Sequence, residues 1–233
     1  MNRDLTNQDL FKALVEKSSL KLDIFDNTLQ ALRLFKQQIE NLNQEYLRQG
    51  QAPTSGRSIA FSNKYRSDYE IELQFGGDIL LFLMHTNIFE FSRDHDVRRT
   101  SYIRNDPNRS YSGVINIYNF LADSFKYNRV NDIGYLIGRV FINKDNHYFI
   151  EGKRELGFLY NDFGQNVMNA EAAMTIVKAA ILYTINFDLL TPPYEEVKIV
   201  SVNNILNTLD EFSLRTGKRI GFQFNPDQAP AEE

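Results

Sequence analysis

The fold is decided by residues 69–84, which read YEIELQFGGDILLFLM. From Tyr69 to Phe75, apolar and polar residues alternate, and this period of two is typical of a strand with one buried face. Gly76-Gly77 can adopt the positive φ angles that a tight hairpin turn requires. The run Ile79 to Met84 is continuously apolar, as in a strand that is buried on both faces. The pattern predicts a β-hairpin.

Further strands extend this hairpin into a sheet that runs from Tyr69 to Tyr160. A second hairpin is predicted between Ile133 and Glu151, with its turn at residues 143–146. Apolar and β-branched residues predict additional strands at 114–120, 155–160 and 197–202. Because hairpins join neighbouring strands, the sheet should be mostly antiparallel.

Two amphipathic helices are predicted before the sheet. Thr6 and Asp9 form a capping-box pattern at the start of a short helix, residues 7–18. A second helix, residues 27–48, has Asp26 or Asn27 as its N-cap, and Gly50 ends it. Its apolar face repeats at spacings of four and three: Thr28, Leu32, Phe35, Ile39, Leu42 and Tyr46. This stripe fits a helix that packs on the sheet, and it also fits the seam of a homodimer.

The helix predicted at 168–187 is nearly uncharged, so we expect it to form the centre of the core. Glu171, Lys178 and Asp188 interrupt the apolar run and argue against a membrane span. A last helix is predicted at 203–215, followed by a disordered acidic tail at 226–233. The expected fold is α+β, with residues 1–225 forming one domain whose N-terminal helical segment covers 7–49.

Composition limits the classes of function. The 233 residues contain no cysteine, which excludes disulfides, thiolate nucleophiles and cysteine-ligated metals. The formal net charge of −4 argues against a surface that binds nucleic acid over its whole extent. No apolar run near the N-terminus could serve as a signal peptide, so we expect a cytoplasmic protein.

The polar stretch from Ser92 to Ser112 is the first candidate site. Its five arginines and three aspartates give a net charge of +2. Guanidinium groups and aromatic rings together suit an anionic or nucleotide-like ligand, although internal ion pairs would explain the same composition. The candidate ligand-binding residues are Arg93, Arg98, Arg99, Tyr102, Arg104, Arg109 and Tyr111. Arg98 and Arg99 are the only adjacent cationic pair among them.

Two weaker patterns could carry catalysis. The residues His85, Asp94, His95 and Asp96 combine imidazole and carboxylate groups, but their spacing also fits a surface turn. Glu151 and Lys153, with Asp132 or Asp145 upstream, resemble the acidic-residue-plus-ExK pattern of metal-dependent nucleases. In that alternative, Asp132 and Glu151 would hold Mg²⁺ and Lys153 would activate water.

No phosphate-binding loop, dinucleotide fingerprint, serine-hydrolase elbow or HExxH motif occurs, and no cofactor is predicted. The sequence therefore favours a non-catalytic regulatory protein that binds a small anionic ligand or a protein partner through residues 92–112. The alternative is a metal-dependent phosphodiesterase or nuclease that uses Asp132, Glu151 and Lys153.

Overall fold

Strands in the computed structural model form one antiparallel sheet, which confirms the predicted α+β fold. The structure describes residues 6–49, 59–153, 155–158, 162–188, 191 and 193–203. Within them the strands are β1 (Phe61–Lys64), β2 (Glu70–Phe75), β3 (Asp78–Met84), β4 (Phe89–Glu90), β5 (Tyr111–Leu121), β6 (Tyr135–Asn143) and β7 (Tyr148–Gly152). They lie in the order β1-β2-β3-β5-β6-β7, and the short β4 pairs with β5.

The helices differ greatly in length. They are α1 (Asn7–Arg48), α2 (Ser101–Asn105), α3 (Ala122–Lys126), α4 (Glu155–Phe158), α5 (Ala170–Ile185) and α6 (Tyr194–Val197). Short 3₁₀ helices, Asp96–Arg99 and Pro107–Ser110, flank α2. No described helix has an apolar stretch long enough to cross a membrane.

The predicted N-terminal helices are one continuous helix, α1, of 42 residues. The predicted capping box is confirmed, because the Asp9 amide donates to Thr6 Oγ1 and the Thr6 amide donates to Asp9 Oδ2. The predicted break before residue 27 is wrong. Neither glycine nor proline interrupts residues 7–48, and Asn27 is not a cap: its side-chain amide donates to the backbone oxygens of Asn143 and Lys144.

One stripe of α1 packs on the inner face of the sheet. Thr28, Phe35 and Ile39 are fully buried, Leu32 is 2% exposed, and Leu42 packs against the same core. This burial supports the first interpretation of the heptad pattern, in which the stripe packs within the chain. Self-association through residues 27–48 stays a prediction.

Helix α5 confirms the predicted apolar helix and lies in the same core. Asn169 caps it by accepting a hydrogen bond of 2.8 Å from the Ala172 amide. Ile176 and Val177 are fully buried, whereas Leu182 is 53% exposed. One side of α5 therefore faces solvent. The helix has apolar residues on nearly every side, but not all of them are buried.

Both predicted hairpins are present. In the first, β2 and β3 pair from Glu70↔Leu83 to Phe75↔Asp78, and Gly76 has the positive φ of +54° that the turn needs. In the second, β6 and β7 pair on either side of the turn that begins after Asn143. The predicted strand 114–120 forms the middle of β5.

Two predicted strands are wrong. Residues 155–158 form the short helix α4. Leu156 is fully buried in the core, and its backbone amide donates a hydrogen bond to the Lys153 carbonyl oxygen. Within 197–202 no strand forms: Val197 ends the helix α6, and Ile199 and Val202 are 83% and 76% exposed. Except for Asn203, the predicted helix 203–215 lies outside the described residues, as does the tail 226–233.

The outer face of the sheet is covered in two places. Over β5, β6 and β7, residues 91–110 together with Phe163 form a second apolar cluster that includes Phe91, Val97 and Ile103. Near β2 and the end of β5, α3 and the chain that follows it pass beside the sheet. A cavity remains between the sheet and this second segment.

Candidate functional site

A cavity of about 740 Å³ lies between the outer face of β1, β2 and β3 and the segment 122–132. Along β2, Ile71, Leu73 and Phe75 point into the core, so the intervening side chains point to the outer face. Polar groups from both sides line the cavity: Lys64, Arg66, Glu72, Gln74, Asp123, Ser124, Lys126, Asn128, Arg129 and Asp132.

Glu72 is a buried carboxylate in the wall of this cavity. Its side chain is only 4% exposed, and Arg66 donates a hydrogen bond of 2.8 Å to its Oε2. Lys64 Nζ lies 3.6 Å from the other carboxylate oxygen. A buried carboxylate is costly unless it is paired, so these two cations allow Glu72 to occupy the outer face of a central strand.

The opposite wall holds a second paired carboxylate. Ser124 donates a hydrogen bond of 2.6 Å to Asp132 Oδ2, and Arg129 Nε lies 2.9 Å from the same oxygen. The side chains of Arg129 and Asp132 are 7% and 9% exposed. This wall is therefore fixed by an ion pair that is nearly as sheltered as Glu72.

The mouth of the cavity carries positive charge. Lys126 is exposed, and its hydrogen bond with Tyr127 raises the pKa of the ammonium group. The Arg66 guanidinium lies 5.8 Å from the centroid of the Phe125 ring, beside Lys126 in the chain. Four basic side chains and three carboxylates line the cavity, so positive charge is in excess by one.

Residues 92–112 form an ordered cover over the outer face of β5, β6 and β7. Thr100 and Asp106 cap its short helices with their side chains, and Val97 and Ile103 anchor it in the outer apolar cluster. Backbone and side chains thus fix this segment against the sheet.

Three of the predicted arginines form ion pairs: Arg98, Arg99 and, at the turn between β6 and β7, Arg109. Arg98 donates bonds of 2.8 Å to Glu90 and to the Phe91 carbonyl oxygen. Arg99 pairs with Asp96 at 3.1 Å, where both side chains are largely exposed. Arg93 and Arg104 are exposed, and neither forms an ion pair with another described residue.

Arg109 and Tyr102 meet at the turn between β6 and β7. Asp145 Oδ2 accepts bonds of 2.7 Å from Arg109 and 3.1 Å from the Tyr102 hydroxyl. The Tyr102 ring stacks on His147 with centroids 5.0 Å apart, and burial raises the pKa of its hydroxyl to about 12. Through these two hydrogen bonds, Asp145 connects the cover to the turn between β6 and β7.

Tyr111 lies at the other end of the cover, at the start of β5. Lys17 Nζ of α1 lies 3.4 Å from the centroid of its ring. Hydrogen bonds from Tyr111 and then from Arg98 lower the pKa of Glu90. The aromatic side chains of the predicted site are thus already in contact with other parts of the chain.

His95 binds the edge of the sheet. Its Nε2 lies 3.1 Å from Glu151 Oε1, and its Nδ1 accepts a bond of 3.2 Å from the Val97 amide. Since Nδ1 is an acceptor, Nε2 carries the proton in the neutral ring and donates it to Glu151. Both ring nitrogens are occupied, which leaves no lone pair for general-base catalysis.

The residues of the alternative catalytic reading lie in different surroundings. Glu151 is on β7, where it pairs with Arg139 and His95, whereas Asp132 lies in the cavity wall with Arg129. Lys153 follows β7, and its amide bonds the Ile137 oxygen. In the part of the chain that the structure describes, no group of three or more His, Asp or Glu side chains is placed to hold a metal ion.

No family model, no curated protein and no solved structure matches this chain.

The sequence does not predict the cavity, because its lining residues come from separate segments, 64–79 and 120–132. One feature of the sequence does indicate a covered polar face. Arg66, Glu70 and Glu72 place a cation beside acidic residues of a strand that is also strongly apolar, which indicates a paired carboxylate on a covered face. Nothing in the spacing of residues 122–132 indicates that they face Glu72.

Proposed function

We propose that this protein binds a small anionic molecule, without catalysing a reaction on it, in the cavity between the outer sheet face and residues 122–132. The supporting observation is the polar lining with its excess positive charge beside Lys126 and Arg66. The volume of about 740 Å³ is that of a pocket for a metabolite-sized ligand.

Anion binding fits the way in which the cavity charges are arranged. Arg66 pairs with Glu72 at 2.8 Å and with Glu70 at 3.8 Å, and Lys64 lies 3.6 Å from Glu72. Lys126 contacts the Tyr127 ring at 4.8 Å and forms no ion pair with a described carboxylate. An anionic group that enters the cavity would therefore meet Lys126, the lining cation that forms no such ion pair.

The ligand also meets an aromatic wall. Phe120 and Phe125 lie edge to face, with ring centroids 5.3 Å apart, and both line the cavity. Phe125 is 37% exposed, so its ring is accessible to a planar apolar group. We therefore propose a ligand that carries a phosphate or carboxylate and a planar part, the nucleotide-like chemistry that the sequence first indicated for residues 92–112.

Binding is favoured over catalysis because both sheltered carboxylates are engaged. Glu72 is held by Arg66, and Asp132 by Ser124 and Arg129. Both carboxylates are therefore already occupied by partners within the chain.

Isothermal titration calorimetry with adenosine monophosphate and with inorganic phosphate tests the proposal. Both should bind, and the nucleotide should bind more tightly because its base adds contact with Phe125. Lys126→Ala should weaken phosphate binding several-fold, and affinity should fall as salt rises. Lys153→Ala is the matched control, because it removes an exposed lysine beyond β7 at the far edge of the sheet.

Two results contradict the proposal. One is an unchanged affinity in the Lys126→Ala variant, which would place the anion elsewhere. The other is the absence of binding by either probe to a protein with a cooperative unfolding transition.

A further inference from the structure

The first part of α1 buries none of its side chains, although Lys17 Nζ lies 3.4 Å from the centroid of the Tyr111 ring. Every residue from 7 to 19 is exposed, and burial begins only at Ile24. This segment is about 20 Å long at 1.5 Å per residue. An isolated helix of this length is only marginally stable in water, and helices usually gain their stability by packing an apolar face.

This extended segment nevertheless presents a large apolar face to solvent. Its exposed side chains are Leu10 at 50%, Phe11 at 60%, Leu14 at 59%, Val15 at 62% and Leu22 at 63%. They fall within an arc of about 140° on the helix. A continuous exposed patch of this kind indicates an interaction surface.

The occupant that the pattern fits is a second copy of the same helix. Phe11, Val15, Ser18, Leu22 and Phe25 follow one another at spacings of four and three. This is the a/d repeat of a coiled coil, with Val15 and Leu22 at the a positions. Phe25 is half-buried and packs against the core, so the exposed part of this repeat runs from Phe11 to Leu22.

The charges beside the stripe favour a parallel pair of helices. Lys21 occupies a g position and Asp26 the e position of the next heptad, five residues later. Both are exposed, and neither forms an ion pair with a described residue. In a parallel dimer, these two positions lie beside each other on opposite helices, which gives two Lys21 to Asp26 pairs.

The body of the protein leaves room for side chains of the second helix. A groove of about 630 Å³ lies beside α1, between Ser18, Lys21, Leu22 and Phe25 on the helix and residues 86–89 on the sheet side. Phe89 is 43% exposed at this groove. It continues the apolar stripe onto the folded body, so the contact would extend beyond two isolated helices.

We propose that the protein forms a parallel homodimer through the exposed stripe of α1 from Phe11 to Leu22, with Lys21 of each copy paired with Asp26 of the other. Side chains of the partner helix occupy the groove beside residues 86–89. This proposal does not depend on the ligand proposed for the polar cavity.

Light scattering of the full chain after size-exclusion chromatography at high micromolar concentration should give the mass of a dimer. The double variant Val15→Glu/Leu22→Glu should give the mass of a monomer with unchanged circular dichroism, because both side chains are already exposed. Ala13→Glu is the matched control, since Ala13 lies on the opposite side of the helix and the dimer should persist.

Cysteine cross-linking tests the parallel arrangement, because the wild-type chain has no cysteine. In a parallel pair, equivalent positions face each other along the whole stripe, so Ser18→Cys and Phe11→Cys should each form an intermolecular disulfide on oxidation. In an antiparallel pair the two Phe11 positions would lie at opposite ends, so Phe11→Cys would not cross-link. Glu16→Cys, which lies outside the stripe, should not cross-link. Lys21→Asp should weaken the dimer, and Lys21→Asp/Asp26→Lys should restore it.

A monomeric mass for the wild-type chain at high micromolar concentration would overturn the proposal. A dimer that survives Val15→Glu/Leu22→Glu would also overturn it, because the interface would then lie on another surface, such as the exposed side of α5 around Leu182. Failure of Ser18→Cys or Phe11→Cys to cross-link in a dimeric sample would exclude the parallel arrangement.

Discussion

Arg66 donates a hydrogen bond of 2.8 Å to Glu72, although the carboxylate is 4% exposed and the arginine side chain is 60% exposed. A flexible surface cation thus compensates a charge that lies beneath it. The pair connects the loop before β2 with the wall of the polar cavity.

Arg66→Ala should lower the free energy of unfolding by about 1–3 kcal/mol, because it removes the shorter of the two cation contacts from a buried carboxylate. In a Glu72→Gln background the same change should cost far less. Urea denaturation of the four proteins of this double-mutant cycle measures the coupling. Arg104→Ala, which removes an exposed arginine, should be nearly neutral; equal costs for Arg66→Ala in both backgrounds would show that the pair is not coupled.

Helix α5 offers a matched pair of isoleucines. Ile176 is fully buried and Ile185 is 59% exposed. Ile176→Ala should lower the free energy of unfolding by about 2–5 kcal/mol, and Ile185→Ala by much less. Chemical denaturation measures both, and similar losses would contradict the orientation of the helix. Ile181, which the sequence singled out as a core position, is only partly buried and is the weaker test.

Tyr102 should make the free energy of unfolding depend on pH in the alkaline range. Burial raises the pKa of its hydroxyl from 10.0 to about 12. The folded protein therefore keeps this proton after the unfolded chain has lost it, so this contribution to stability is present below about pH 10 and is lost as pH rises toward 12. Urea unfolding across this range should show a steeper fall for wild type than for Tyr102→Phe. Parallel curves would contradict the assignment.

Arg98 and Arg99 are adjacent in sequence but differ in surroundings. Arg98 bonds both Glu90 and the Phe91 oxygen, and its side chain is 22% exposed, whereas Arg99 is 70% exposed. We expect Arg98→Ala to destabilise the protein by about 1–2 kcal/mol and Arg99→Ala to be nearly neutral. Thermal unfolding compares them. If both variants retain wild-type stability, the hydrogen bonds of Arg98 contribute little to the fold.

The local sequence pattern was sufficient to predict the elements that have strong periodicity and clear turn residues. The alternation from Tyr69 to Phe75, Gly76 at the turn and the capping box at Thr6 all predicted what the structure contains. Each depends on interactions between residues near one another in sequence. Such signals can be read without knowledge of the tertiary fold.

The errors came from positions where tertiary contacts decide. Asn27 has the chemistry of a helix cap, but its amide finds partners 116 and 117 residues away, so α1 continues through it. Leu156 lies in a short apolar run typical of a strand, yet its burial in the core is reached through a helical turn. The cavity could not be predicted either, because Glu72 and Asp132 belong to segments whose proximity depends on the assembled sheet.

The sequential order of most strands has a consequence for synthesis and folding. Pairs such as β2 with β3 and β6 with β7 need only short loops to close, so they can form soon after their residues leave the ribosome. Ile176 and Val177 emerge later, with α5. A nascent chain that has reached Gly152 therefore exposes part of its inner sheet face. At about 5–20 residues per second, this interval lasts on the order of seconds, during which the unfinished domain is most prone to aggregate.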